Sequence, residues 1–385
     1  MNGVRELTAY LRGQRRSMVG LLERLALAES PTSDAGSQDE VLGILSRGLV
    51  AAGHRVRRVG GRHLFAVPGG RRICAPSQLL LGHCDTVWPV GTVQTMPVEA
   101  DGNVVRGPGV YDMKGGLVQA VFALRALWEL GLEPFVTPVV FVNSDEETGS
   151  RGSGRHIRRL SRIVERAFVM EPSLGLSGRL KTARKGVGRF TVSVHGRAAH
   201  AGLDPGGGAS AILELSHQVQ ALFALNDPAR GVTVNVGTID GGLRPNVVAP
   251  EARAVVDVRV PTTEDARRVE QAILGLRPVT PGSKVVVEGF VGRQPMERTA
   301  RNQELWQRAR RLGEGLGLEL EEGMAGGASD GNTTSLHTAT LDGLGAVGDG
   351  AHACHEFVYV DRMVERSALL ALLVMEPPLG REEHP

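Results

Sequence analysis

Apolar residues recur at helical spacing near the start of the chain, with Leu11, Met18, Leu21, Leu22 and Leu25 on one face, and the proline of "ESPTSD" ends the run. A second amphipathic helix is predicted over about Gln38 to Ala52. Two short strand-like runs follow, "HLFAV" and "QLLLGH", then the Gly-rich "VVRGPGVYDMKGG" and an apolar helix from Leu117 to Leu130. "TPVVFVNSDEETGS" reads as a buried strand that ends in acids, and "ERAFVMEPS" repeats that plan. Strands that alternate with helices and carry polar residues at their C-terminal ends describe an α/β sheet with a site along that edge.

From about Gly186 the pattern changes. "GVGRFTVSVHG" alternates in the manner of a strand with one wet face, a helix follows from Ala209 to Ala224, and "GVTVNVGTIDGG" and "EARAVVDVRVP" read as two further strands. A helix over Thr263 to Leu276 and the strand "KVVVEGF" complete a β-α-β-β-α-β order, that of a ferredoxin-like α+β unit. After Arg293 the α/β pattern resumes. The expected organisation is an α/β main domain in two parts, Met1–Lys185 and Gln294–Pro385, interrupted by an inserted unit, Gly186–Arg293.

A length of 385 residues agrees with more than one core. The chain has 44 Lys and Arg against 42 Asp and Glu, so its charge of +2 gives no reason to expect nucleic acid or an anionic membrane as partner. No apolar run approaches a membrane span, and the first 25 residues alternate charge with Leu, unlike a secretory leader; the expectation is a cytoplasmic protein. Cys74, Cys84 and Cys354 show no CxxC spacing and offer no disulfide framework, so any bound metal must be held mostly by His and carboxylate.

Five polar clusters fall at loops or strand ends of the main domain: His83 with Asp85, Asp112, Glu146 with Glu147, Glu171, and His352. Each has a plain alternative: Asp112 as a helix cap, the paired acids on a solvated turn, His352 as a turn residue. Together, two His and three carboxylates are a suitable donor set for two zinc ions, and one carboxylate shared by both would hold them about 3.5–4 Å apart.

The ordered motifs "GHCDTV", "RGPGVYDMKGG", "SDEETGS", "MEPS", "RAAHAG" and "GDGAHACHE" resemble those of the acetylornithine deacetylase, succinyl-diaminopimelate desuccinylase and glutamate carboxypeptidase family of dizinc peptidases, and most closely its glutamate carboxypeptidase branch. The resemblance covers nearly the whole chain. It implies a zinc-binding α/β domain interrupted by a lid that also makes a homodimer. It further implies that Asp112 bridges, that His83 and Glu171 complete one zinc site, and that Glu147 and His352 complete the other. Asp85 then orients His83 from behind, and Glu146 is the general base for amide hydrolysis. His200, in "RAAHAG" on the lid, is the implied donor to the oxyanion. Cys84 and Cys354 are expected to pack.

Asn246 in "RPNVVAP" and Arg259 in "VVDVRVP" match lid positions that bind the substrate's carboxylate end in the family, although a turn Asn and a surface ion pair explain them as simply. "RKGVGRF" and "GGASDGN" match family segments near the cleft. The expected activity is release of a C-terminal amino acid, glutamate foremost, from a peptide or N-acyl conjugate, with zinc as the metal and cobalt or manganese as substitutes. An N-acyl-amino-acid deacylase or a specialised-metabolite amidohydrolase would use the same ligands. Outside enzymes, a metal-containing binding protein is the remaining reading, against which the retained Glu146 argues.

Overall fold

The computed structural model describes residues 2–70 and 76–380, so Cys74 lies outside the described residues. The chain divides into two compact units. One comprises Met1–Thr182, Arg298–Met324 and Ser329–Pro385; the other comprises Ala183–Glu297 and also takes in Ala325–Ala328.

The first unit is built on a six-stranded sheet in the order His54–Val59, His63–Pro68, Thr137–Asn143, Ser77–His83, Arg166–Val169, Ala339–Leu341. The last four strands are parallel, and the first two form an antiparallel hairpin along one edge. Strand alternation divides the side chains between two helical layers. Leu80, Val140 and Phe168 face a large core with the helices, while Leu79, Leu81 and Val139 face a smaller one that contains Ile157. Because Ser77–His83 and Thr137–Asn143 are buried at every position, they read as continuous apolar runs. The helical pattern at the start of the chain belongs to two helices, Asn2–Gly13 and Arg15–Leu27, which part at Gln14. The helix predicted to begin at Leu117 spans Gly115–Glu129.

A second, small sheet is decisive for the site. Gly348–Asp349, Phe357–Tyr359, Val104–Arg106 and Glu99–Asp101 pair antiparallel in that order, and Phe357 stands opposite Arg106. The loop between Asp349 and Phe357 is therefore brought beside the Gly-rich loop that follows Arg106, although the two are far apart in sequence. No strand of this sheet exceeds three residues, too short for a period of two to show in the sequence.

The second unit has the order strand Gly186–His195, helix Ala211–Phe223, strands Thr233–Gly241 and Glu251–Val260, helix Thr263–Leu274, strand Lys284–Arg293. Its antiparallel sheet places Glu251–Val260 and Gly186–His195 at the centre and Thr233–Gly241 and Lys284–Arg293 at the edges, the ferredoxin-like arrangement expected from the sequence. Ser210 and Thr262 cap the two helices through their hydroxyls. Among the described residues no helix is long and apolar enough to cross a membrane.

Candidate metal centre

His83 is the last residue of the strand Ser77–His83 and stands in register with Asn143, the last residue of its parallel neighbour. Glu146–Thr148 then form a single 3₁₀ turn. Glu171 lies two residues beyond the strand Arg166–Val169. Asp112 sits in an irregular turn ahead of the helix Gly115–Glu129, and its peptide bond to Met113 is cis. His352 lies in the loop between the two short strands, with φ at 61°. Gly116 and Gly345 permit this convergence: a methyl group on either would collide with the main-chain oxygen of Met170, beside Glu171.

The five expected ligands meet in space. His83 Nε2 lies 3.3 Å from Asp112 Oδ1 and 3.4 Å from Glu171 Oε1. His352 Nε2 lies 3.5 Å from Asp112 Oδ2 and 3.2 Å from Glu147 Oε2. Asp112 thus turns one oxygen toward each imidazole, and each imidazole faces one further carboxylate. Donors on one tetrahedral ion with bonds of about 2.1 Å stand roughly 3.4 Å apart, so these separations fit two such ions. Asp112 Oδ1 and Glu147 Oε1 are also buried without a hydrogen bond among the described residues, a costly state for carboxylate oxygens that a cation relieves.

Asp85 does more than expected. His83 Nδ1 stands 2.9 Å from the main-chain oxygen of Asp85 and 3.4 Å from its carboxylate, so main chain and side chain both fix the ring, with Nε2 left toward the site. The buried carboxylate also accepts the Thr32 hydroxyl at 2.6 Å and the amides of Glu146 and Glu147 at 3.2 Å each. It therefore holds the turn that carries the proposed base and a proposed ligand.

Two further carboxylates do comparable work. Glu356 accepts the amides of Gly109, Tyr111 and Asp112 at 2.8, 2.9 and 3.0 Å, and the Trp88 indole at 3.0 Å. The buried Asp330, in "GGASDGN", accepts the Ser150 hydroxyl at 2.5 Å and the Asn143 amide, joining the strand end to the chain just past the turn. Neither was singled out from the sequence. For Glu356 a signal existed, an acid four residues after His352 inside a motif already in view.

The electrostatics follow from this crowding. Burial alone would push His83 down, but Asp112, Asp85 and Glu171 hold it well above the ordinary histidine value. His352 rises to about 9, chiefly through Glu147. Burial raises Glu147, and burial raises Glu356 to about 7 against the pull of its four N–H donors. Lys114, buried with its Nζ on the Ala28 carbonyl at 3.2 Å, is pushed down to about 8 by burial.

Cys84 is packed in the main core. Cys354 is exposed, which corrects the expectation that it packs: it lies in the loop between Gly348–Asp349 and Phe357–Tyr359, where Ala351, His352 and His355 are exposed with it.

The remaining expected residues belong to the second unit. His200 is exposed, and its Nδ1 accepts the amides of Gly202 and Leu203 at 3.1 and 3.2 Å. A ring nitrogen that accepts two amides carries no proton, so neutral His200 keeps its proton on Nε2, as a donor. Asn246 is an exposed turn residue whose carbonyl accepts the Ala201 amide at 3.0 Å. Arg259 forms a two-pronged pair with Asp257, at 2.8 and 3.2 Å, two positions along the same strand.

The model of peptidase family M20/M25/M40 matches residues 79–376. The chain belongs to this family. The peptidase is 28% identical over 346 residues to Carboxypeptidase G2 of Pseudomonas sp. (strain RS-16), covering 87% of this chain and 80% of that protein. It resembles the crystal structure of aminopeptidase PepT from Bacillus cereus with a TM-score of 0.77 at 20% identity, over 94% of this chain and 98% of that one. It also resembles the YXEP protein of Bacillus subtilis, described as a dinuclear metal binding peptidase of the M20 family, with a TM-score of 0.69 at 14% identity over the same shares. The enzyme is thus a metallopeptidase whose candidate metal group includes His83, Asp112 and Glu147, with ligand atoms within 4.8 Å of one another.

Proposed function

We propose that this metallopeptidase is a dizinc carboxypeptidase that releases a C-terminal amino acid, glutamate foremost, from a peptide or N-acyl conjugate. The observation that carries the reading is the division of the two Asp112 oxygens between His83 and His352, each imidazole backed by its own carboxylate. His83, Asp112 and Glu171 would hold one ion, and His352, Asp112 and Glu147 the other. Two zinc ions bound there supply Lewis acidity for the scissile carbonyl and for water. Glu146 takes the proton of the attacking water and returns it to the leaving amine. His200 of the partner subunit donates from Nε2 to the oxyanion, a role its tautomer supports. Asn246 and Arg259 receive the substrate's terminal carboxylate, for which Arg259 exchanges its pairing with Asp257.

Support for carboxypeptidase activity comes from the name of the Pseudomonas relative and its coverage of most of both chains. A homodimer through the second unit is supported by the exposed edge strand Thr233–Gly241 and by exposed Ile212, Leu213 and Phe223 on the helix Ala211–Phe223. The test is turnover of a panel of N-acyl and peptidyl amino acids by the zinc-loaded enzyme. Preference for a C-terminal glutamate supports the reading; hydrolysis only of substrates with a blocked C-terminus sinks it.

A further inference from the structure

A second polar cavity of about 270 Å³ adjoins the turn that carries Glu146 and Glu147, bordered by Asp145 and Thr148. Thr32, whose hydroxyl supports Asp85, also lines it. Its charge is lopsided. Arg62, Arg151 and Arg155 surround it, while Asp145 is its one carboxylate. Asp145 is partly committed, since its Oδ2 accepts the amides of Gly152 and Ser153 at 2.6 and 3.2 Å. Arg62 and Arg151 have no ion-pair partner among the described residues, and Arg155 spends only its Nε, on His156 Nε2 at 3.2 Å. Three guanidinium groups around one hollow, with the single carboxylate of Asp145 against them, leave an excess of positive charge that favours an anion.

The wall of the cavity also holds a largely buried histidine. His63 is 4% exposed, and its Nδ1 stands 3.3 Å from the Ser144 hydroxyl. When that hydroxyl donates to Nδ1, the ring proton sits on Nε2, which has no hydrogen-bond partner among the described residues. Gly60 and Gly152 line the cavity against this nitrogen, and a methyl group on either would stand 3.9 or 3.8 Å from it. Burial lowers His63 against the pull of Asp145, with His156 and Arg62 adding to the fall, and burial with Arg155 and Arg159 lowers His156, again against Asp145. Both rings are therefore neutral near pH 7, and the positive charge of the cavity belongs to the arginines. His63 thus adds a neutral N–H donor to the guanidinium groups that line the cavity.

We propose that this cavity binds a compact oxyanion, a phosphate, sulfate or carboxylate group, between the Arg62 and Arg151 guanidiniums and the His63 Nε2–H. The site is separate from the proposed metal ligands and does not depend on which amide the enzyme cleaves. Two sources share this chemistry: a free anion that acts on the Glu146 turn through Asp145, and an acidic group on the substrate's own acyl portion.

Sulfate is the probe, used at constant ionic strength with chloride, because it is a weak ligand for divalent metal. Calorimetry on the full-length, metal-loaded enzyme should show saturable sulfate binding, weakened at least about tenfold in Arg62→Ala/Arg151→Ala, whose exposed sites leave the fold intact. His63→Phe, which keeps a ring and removes the donor, should weaken it too. Turnover of a neutral substrate without sulfate should stay within about twofold of wild type in the double arginine variant, since no proposed catalytic group is touched. If sulfate raises KM alone, the anion is the substrate's acidic group; if it changes kcat, the anion is a separate effector. Sulfate binding that is absent in the wild type, or unchanged in the arginine variant, overturns the proposal.

Discussion

The carboxylate of Glu356 accepts the amide of Asp112 at 3.0 Å, and three other N–H groups, on Gly109, Tyr111 and Trp88, converge on the same two oxygens. All four partners are donors, so only an acceptor on both oxygens fits. Glu356→Gln turns an amide NH₂ against N–H groups and loosens the loop that aims Asp112 at both imidazoles. We expect metal affinity to fall about 10–100-fold, the usual cost of removing a group that orients a ligand. Metal titration of the folded variant measures it, and unchanged affinity would remove Glu356 from the support of the site.

Glu146→Gln keeps the shape of the turn and the hydrogen bond from its main-chain N–H to Asp85 but removes the proton acceptor. Both metals should remain while turnover drops by about 10²–10⁴-fold. Metal content and rate measured on the same preparation decide. Near-normal turnover in a metal-replete variant would end the assignment of Glu146 as base.

Asp112 serves both imidazoles, so Asp112→Ala should lose or scramble both metals, whereas Glu171→Ala or His352→Ala should weaken mainly one. Asp85→Ala should be milder in affinity and should also free the Glu146–Thr148 turn, because two of that turn's amides donate to this carboxylate. Retention of two tightly bound ions by Asp112→Ala would contradict the bridge.

The sign of the pH dependence differs between metal-free and metal-loaded enzyme. In the metal-free state His352 is raised to about 9 and His83 is raised as well, so the folded state binds more protons than the unfolded chain above pH 6.5. Their contribution is full below about pH 6.5 and declines as pH rises toward 9. Lys114, lowered to about 8, acts in the opposite direction above that value, so the clearest window is about pH 6.5 to 8. Thermal denaturation of chelated enzyme should show stability falling across this window. With metal in excess the fall should vanish or reverse, because metal replaces the protons and binds more tightly as they leave. Parallel pH profiles in the two states would refute this.

The ends of the long parallel strands were legible in the sequence because Ser77–His83 and Thr137–Asn143 are buried throughout and terminate abruptly in polar residues. That pattern puts His83, the pair Glu146 and Glu147, and Glu171 at strand ends, whereas their division into ligands and base came from the resemblance. The approach of His352 and Glu356 to Asp112 was not legible from periodicity, because it depends on a sheet whose strands are two or three residues long. His352 was in view as a polar residue of a Gly-rich loop, but only the matching motif gave it a ligand's role. Support at a distance was also hidden: Asp330 reaches Asn143 and Ser150 across nearly half the chain, and nothing in a local run of residues announces such a contact. The tautomer of His200 likewise depends on two amides that a turn brings to its ring.

The last prediction concerns the source of the oxyanion donor. His200 is exposed, and its Nδ1 is occupied by two amides of its own turn, which leaves Nε2–H as the donor for the role we propose for it. We expect that site to lie in the partner subunit of a homodimer. Inactive His200→Ala and inactive Glu146→Gln subunits, mixed in equal amounts under exchange conditions, then regain activity. In a mixed dimer one site carries both lesions and the other carries neither. Half of the dimers are mixed when subunits assort at random, so about a quarter of wild-type activity should return, as symmetric pairing requires. Each parent alone must stay inactive, and exchange must be shown independently with labelled subunits. If exchange is complete and no activity returns, His200 acts within its own chain or takes no part in the reaction.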